Sequence, residues 1–191
     1  MTLGLGIKQM ENMKTLEIQL ELPTMWHRWQ VEEYVQKFKG QPSGVVGVNI
    51  HGCGRLGEIS FNDWLQECDD HRAGMNLPVG YVPATQYIVT RKSDHKLIGM
   101  LQIRHSLTEF LERIGGHIGY SVAPDERRKG HATGMLMMGL DICRELGIKR
   151  VRVSCIKANI ASAGVIKKCG GIYDGDAEHE GMVFERYWIV L

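Results

Sequence analysis

Three basic residues, Arg127, Arg128 and Lys129, stand directly before Gly130, His131 and Ala132. On one side lies an alternating segment, Gly116 to Val122, closed by Pro124; on the other a long helical pattern begins. A strand, a short loop and a helix start, in that order, present backbone N–H groups with no partner inside the helix, and the helix dipole adds positive potential. Diphosphates bind at such places, and flanking cations strengthen the attraction. Glycine at 130 and a small residue at 132 let phosphates come close to the backbone. The pattern G-x-x-x-x-G-K-[ST] is absent, so nucleoside triphosphate chemistry is not indicated.

Two other groupings have the right residue types in the wrong company. Gly52, Gly54 and Gly57 satisfy G-x-G-x-x-G after an apolar run and before a helix. A dinucleotide site also needs a second strand ending in an acid about 20 residues on. The residues there are Arg72 to Pro78, without an acid and with a proline, so the motif reads as loop. His51, Cys53, Cys68 and His71 are loosely zinc-like, but their spacing fits chance proximity better, and no metal is expected.

The elements that must hold these residues follow from periodicity. Thr15 to Leu22 alternates as a half-buried strand, and Met25 to Lys37 and Ser60 to Arg72 read as helices. Gly40 to Gly57, with six glycines, reads as loop. Thr85 to Arg91 and Lys96 to His105 form an expected hairpin around Ser93-Asp94-His95. A short helix fits Leu107 to Ile114, a strand Gly116 to Val122, and a long helix Gly130 to Gly147 with one apolar face. Val151 to Cys155, Ala161 to Lys168 and Met182 to Leu191 complete the pattern as strand, helix and strand. The fold class is α/β, one mixed central sheet flanked by helices.

Composition bounds the function from outside. The 191 residues are 43% hydrophobic and 24% charged, which suits one domain over 15–191 with an N-terminal extension over 1–14. The net charge of +1 implies no general attraction to nucleic acid or to a membrane surface. No apolar run reaches the 18 or so residues of a spanning helix. The N-terminus lacks a secretory pattern, and five scattered cysteines make no disulfide framework. A reduced cytoplasmic setting is expected.

Arg127-x-x-Gly130-x-Ala132 resembles the [QR]-x-x-G-x-[GA] signature of the GCN5-related N-acetyltransferase (GNAT) superfamily. Asn159 to Gly171 resembles that superfamily's second signature, an Asn-led short helix closing in Lys-x-Gly. From Gly80 to Gly171 the chain is similar to a bacterial branch of predicted acetyltransferases, through Tyr81 to Tyr87, Ile103 to Leu107 and Gly115 to Tyr120.

The resemblance implies acetyl-CoA as donor and a primary amine of a small molecule, peptide or protein as acceptor. It implies that strands 116–122 and 151–155 run parallel and splay around the pantetheine arm, with main-chain bonds from Ser121 and Val122. Amides from Arg128 through Lys129, Gly130 and His131 to Ala132 would hold the pyrophosphate, while Asn159 and Ser162 meet the donor from the other side. A lysine-like amine, with a pKa of about 10.4, is neutral in roughly 1 molecule in 2,500 at pH 7, so attack wants a base. The family's strand carboxylate corresponds here to His117, whose other reading is a structural histidine. The family's tyrosine acid corresponds to Ile166, leaving Tyr120, Cys155, Tyr187 or unassisted thiolate departure. Arg104 and His105 would contact an acidic part of the acceptor or anchor a loop. A homodimer through an edge or C-terminal strand fits, and a non-catalytic acyl-CoA-binding module is the alternative function.

Overall fold

The computed structural model describes residues 17–39 and 50–191. The expected extension and residues 40–49 of the expected glycine loop lie outside that range. In chain order the elements are β1 (Ile18–Glu21), a 3-10 turn (Met25–His27) leading into α1 (Arg28–Gln36), α2 (Phe61–Ala73), β2 (Ala84–Arg91), β3 (Leu97–Arg104), a π-helical turn (Leu111–Gly115) and β4 (Ile118–Val122). A 3-10 turn (Pro124–Glu126), α3 (His131–Glu145), β5 (Arg150–Ile156), α4 (Ile160–Lys168), β6 (Ile172–His179) and β7 (Met182–Val190) follow.

The strands form two antiparallel sheets, ordered β1-β2-β3-β4 and β5-β7-β6. They meet where the chain passes from Gly116 into β4. His117 N–H donates to Arg152 O at 2.7 Å, and Arg152 N–H donates back to His117 Nδ1 at 2.9 Å. Beyond that junction β4 and β5 belong to different sheets, β4 leading to the loop before α3 and β5 to α4. The splay implied by the resemblance is thus present as a division between two sheets.

Each face of the larger sheet has its own core. On one, Leu101, Ile103 and Ile118 pack with Met135, Leu136, Leu140 and Cys143 of α3 and with Val151, Val153 and Tyr187 of the smaller sheet. Gly139 allows this close approach, since a Cβ there would lie 3.3 Å from Ile118 Cδ1. On the other face, Ile88 and Met100 pack against Val31 and Tyr34 of α1 and Phe61 and Trp64 of α2. Ser60 starts α2 by accepting Asp63 N–H, and Gly74, at φ 70°, ends it. Trp64 Nε1–H donates to Cys53 O at 2.7 Å, tying the 50–57 loop to α2.

One strand escapes the sequence reading. Residues 172–179, Ile-Tyr-Asp-Gly-Asp-Ala-Glu-His, carry turn-type residues mid-run and are largely exposed. They pair with β7 through an irregularity between Tyr173 and Asp176, where Gly175 takes φ 89°. The expected helix over 107–114 is present from Glu109, where one short α-helical step runs directly into the π-helical turn Leu111–Gly115. Among the described residues no helix is long and apolar enough to cross a membrane.

Candidate active site

The loop before α3 has the backbone of an anion site. Arg127 is extended, Arg128 and Gly130 take φ 66° and 84°, and Gly130 caps α3 without a side-chain partner. The first amide of this stretch to find an acceptor is Thr133 N–H, on Gly130 O at 3.1 Å. Among the described residues the N–H groups from Arg127 to Ala132 make no hydrogen bond. A run of free amides with alternating backbone handedness at a helix start suits a diphosphate.

The three basic side chains divide their tasks. Lys129 Nζ is 2.8 Å from Glu126, whose carboxylate is also held by Lys96 at 2.7 Å and Arg91 at 3.4 Å. Glu126 is buried; desolvation raises its pKa, but the bonds from Lys129 and Lys96 and the charges of Lys96 and Arg91 outweigh that and bring it to about 2. His131 Nε2 lies 3.6 Å from the same carboxylate. Arg127 turns back, its Nε donating to Val122 O at 3.3 Å and its guanidinium standing over Phe38. Arg128 alone of the three has no hydrogen bond or ion pair among the described residues. The tribasic run therefore braces the loop with two side chains and offers one cation outward.

Register decides which strand groups face the gap. Ala123 N–H donates to Ile98 O, and Met100 pairs with Ser121, so odd-numbered main-chain groups of β4 point into the ladder with β3. Those of Tyr120 and Val122 point to the open edge. Ser121, expected to meet the donor through its main chain, instead faces β3, and its Oγ accepts from Tyr34 OH at 3.0 Å. Asn159 Oδ1 accepts Ser162 N–H at 3.1 Å and so caps α4. Tyr120 OH and Ser162 Oγ meet across the gap at 2.8 Å. Burial raises the Tyr120 pKa, which keeps its proton in place at neutral pH. Cys155, close to both, has its thiol pushed up to about 11 by burial. Ile166, where the family carries tyrosine, is fully buried in the core.

His117 is badly placed for a base. A backbone N–H can only donate, so Nδ1 spends its lone pair on Arg152 and the ring proton sits on Nε2. Neither nitrogen can then take a proton without breaking the junction between the sheets. Burial, with the Arg104 and Arg152 charges, lowers its pKa to about 4. The geometry makes His117 a pin between two sheets. His105 likewise is held by Thr85, with Nε2 2.9 Å from Oγ1.

A cavity of about 420 Å³ opens on the α2 face of the larger sheet. Its floor is Ala84, Gln86, Gln102 and Arg104, and His51 and Gly52 are in its wall. Register sets Arg104 beside His117 and Gln102 beside Gly119, so the floor continues to β4. Gly52 lies on the Gly119–Tyr120 peptide: a Cβ at Gly119 would be 3.1 Å from Gly52 Cα. His51 is exposed to the cavity, and surrounding protein together with the Arg104 charge lowers its pKa, leaving the imidazole neutral at pH 7. Cys53, Cys68 and His71 are also in the wall, with Cys53 Sγ donating to Ile50 O at 2.7 Å. Among the described residues no three His, Cys, Asp or Glu gather as a metal group. Sequence reasoning missed this cavity because the 50–58 loop in its wall and the strands of its floor lie about 30 to 50 residues apart in the chain. The only local sign was the glycine pattern at 52–57.

A family model described as an acetyltransferase (GNAT) domain matches residues 17–172. No curated protein sequence matches the chain significantly. Among solved structures, a ribosomal L7/L12 alpha-N-protein acetyltransferase in complex with coenzyme A superposes with a TM-score of 0.66 at 17% identity, over 93% of this chain and 96% of its own. A ribosomal-protein-S5-alanine acetyltransferase from Vibrio fischeri gives 0.65 at 18%, over 91% and 93%. A spermidine N-acetyltransferase chimera of the Vibrio cholerae enzyme and hSSAT gives 0.62 at 14%, over 91% and 95%. At such identities the likeness carries the fold. With the domain model matching most of its length on that fold, the chain belongs to the GNAT acetyltransferase family.

Proposed function

We propose that this acetyltransferase moves the acetyl group of acetyl-CoA to an amine seated in the cavity over β2 and β3. The observation that carries the donor assignment is the run of free amides from Arg127 to Ala132 before α3. When bound, acetyl-CoA supplies an activated acetyl thioester. The loop amides and Arg128 hold its diphosphate, and the open-edge main chain of Tyr120 and Val122 orients its arm between the sheets. The wall residue His51 takes the proton that the attacking amine must lose, directly or through water. Tyr120 donates its hydroxyl proton to the departing sulfur and is resupplied through Ser162, 2.8 Å away. This paired donor at the gap favours a catalyst over a passive acyl-CoA module.

Thermal unfolding tests the donor site. Acetyl-CoA should raise Tm saturably, because a ligand of the folded state stabilises it by mass action. S-acetylpantetheine, which lacks the diphosphate, should need at least about 100-fold higher concentration for the same shift. Equal potency of the two compounds would remove the loop from the donor site.

A further inference from the structure

Arg104 ends β3 in the cavity floor. Among the described residues its guanidinium bonds only to main-chain carbonyls, Gly115 O at 3.3 Å and Gly116 O at 3.1 Å, with no carboxylate in ion-pair reach. The cavity's other cation is different: Arg55 is matched by Glu67. Glu58, also in the wall, is exposed. Once that pair is set aside, the lining has a carboxylate on the loop and an unmatched guanidinium in the floor. A partly buried cation satisfied only by carbonyl dipoles is costly, and a bidentate carboxylate is its strongest partner.

Its position matters as much as its charge. Arg104 Nη1 lies 3.9 Å from where a Cβ of Gly119 would be, at the point of β4 on which Gly52 rests and just before Tyr120. An anion on Arg104 is therefore within a few bond lengths of the strand edge that faces the donor.

Building on the reading of this cavity as the acceptor site, we infer that the acceptor carries a carboxylate a few bonds from its reactive amine, which Arg104 binds. Two sources share that chemistry: a free amino acid, through its α-carboxylate, and a peptide whose N-terminal residue is Asp or Glu. A polyamine offers no anion and brings further positive charge toward Arg104, so the cavity selects against it.

The test uses the full chain with CoA present for binding and with acetyl-CoA for transfer. The probes are free amino acids against their carboxamides, C-terminally amidated peptides led by Asp or Glu against those led by Asn or Gln, and spermidine. In each pair whose carboxylate member binds, that member should stabilise the CoA complex and be acetylated with at least tenfold higher kcat/KM. Which pairs respond identifies the source. Arg104→Gln should erase the preference while leaving the KM for acetyl-CoA unchanged, and Arg104→Lys should restore part of it. Carboxamides or spermidine accepted as well as carboxylates would overturn the inference, as would a complete lack of carboxylate binding. Carboxylate-selective binding with no transfer to any amine would support the Arg104 site and overturn the acceptor reading instead. The wild-type comparison decides even if the Gln variant does not fold, since Arg104 also holds the Gly115 and Gly116 carbonyls.

Discussion

A histidine's role depends on where its two nitrogens point. At His117, Nδ1 takes the N–H of Arg152 across the junction of the sheets, so the imidazole works as an acceptor and stays neutral. With a folded pKa of about 4 against about 6.5 unfolded, its contribution is full above pH 6.5 and is lost as pH falls toward 4, because the unfolded chain binds the proton first. His117→Asn keeps an acceptor near Nδ1 and cannot titrate, so the stability loss between pH 6.5 and 4 should be shallower by one proton, with kcat between pH 6 and 9 little changed. His117→Ala, which orphans the Arg152 N–H, should cost about 2 kcal/mol in chemical denaturation. Tyr120→Phe should behave oppositely, preserving the fold and lowering kcat roughly 100-fold, as loss of a general acid does. A 100-fold loss of kcat in the Asn variant would return His117 to the base's role. Alternation along 116–122 could place His117 and Tyr120 on opposite faces, but no sequence pattern shows which donor from another sheet meets a ring nitrogen.

At the scale of elements, the loop before α3 was legible and its bracing was not. Strand, proline, cations, glycine and helix stand in one local run, so the proposed anion site could be read from residues 116–147. Glu126 sits within the same run, yet its partners Arg91 and Lys96 come from the β2–β3 hairpin about 30 residues away. Three cations close a buried carboxylate beneath the loop, and Lys129 therefore faces inward. Glu126→Gln should destabilise the protein by about 3 kcal/mol, since breaking a buried pair leaves uncompensated charge. With its pKa lowered to about 2, Glu126 supplies stability that is present above about pH 4.5 and lost as pH falls toward 2; denaturation of the Gln variant should lack that dependence. The same variant should weaken acetyl-CoA binding, as the loop amides lose their support. Unchanged affinity would mean the loop holds its shape alone. The β6 strand was missed for a related reason: Asp174, Gly175 and Asp176 are turn residues by local preference, and pairing with β7 overrides them.

The whole molecule brings together what the chain separates. Among the described residues, two sheets hydrogen-bonded at the His117–Arg152 pair leave the gap proposed for the donor, and a loop resting on β4 through Gly52 and Gly119 sets a cavity beside it. The α/β class and most of the elements follow from periodicity and turn residues alone, and the signatures at 127–132 and 159–171 point to the donor. The proposed acceptor side depends on contacts between residues 50–58 and the strands at 84–104, which no local pattern records. The near-zero net charge hides this arrangement too, since carboxylates elsewhere in the chain offset the outward Arg128 and an Arg104 that has no carboxylate partner among the described residues. The claim uniting both halves is transfer across the β4 edge from donor to amine. Incubation with acetyl-CoA carrying a deuterated acetyl group and the paired amines above, followed by mass spectrometry, measures it directly. The account predicts one labelled N-acetyl amine for each CoA released, with transfer lost in Tyr120→Phe. Saturable acetyl-CoA binding with no labelled amine, or CoA release without it, would contradict the account.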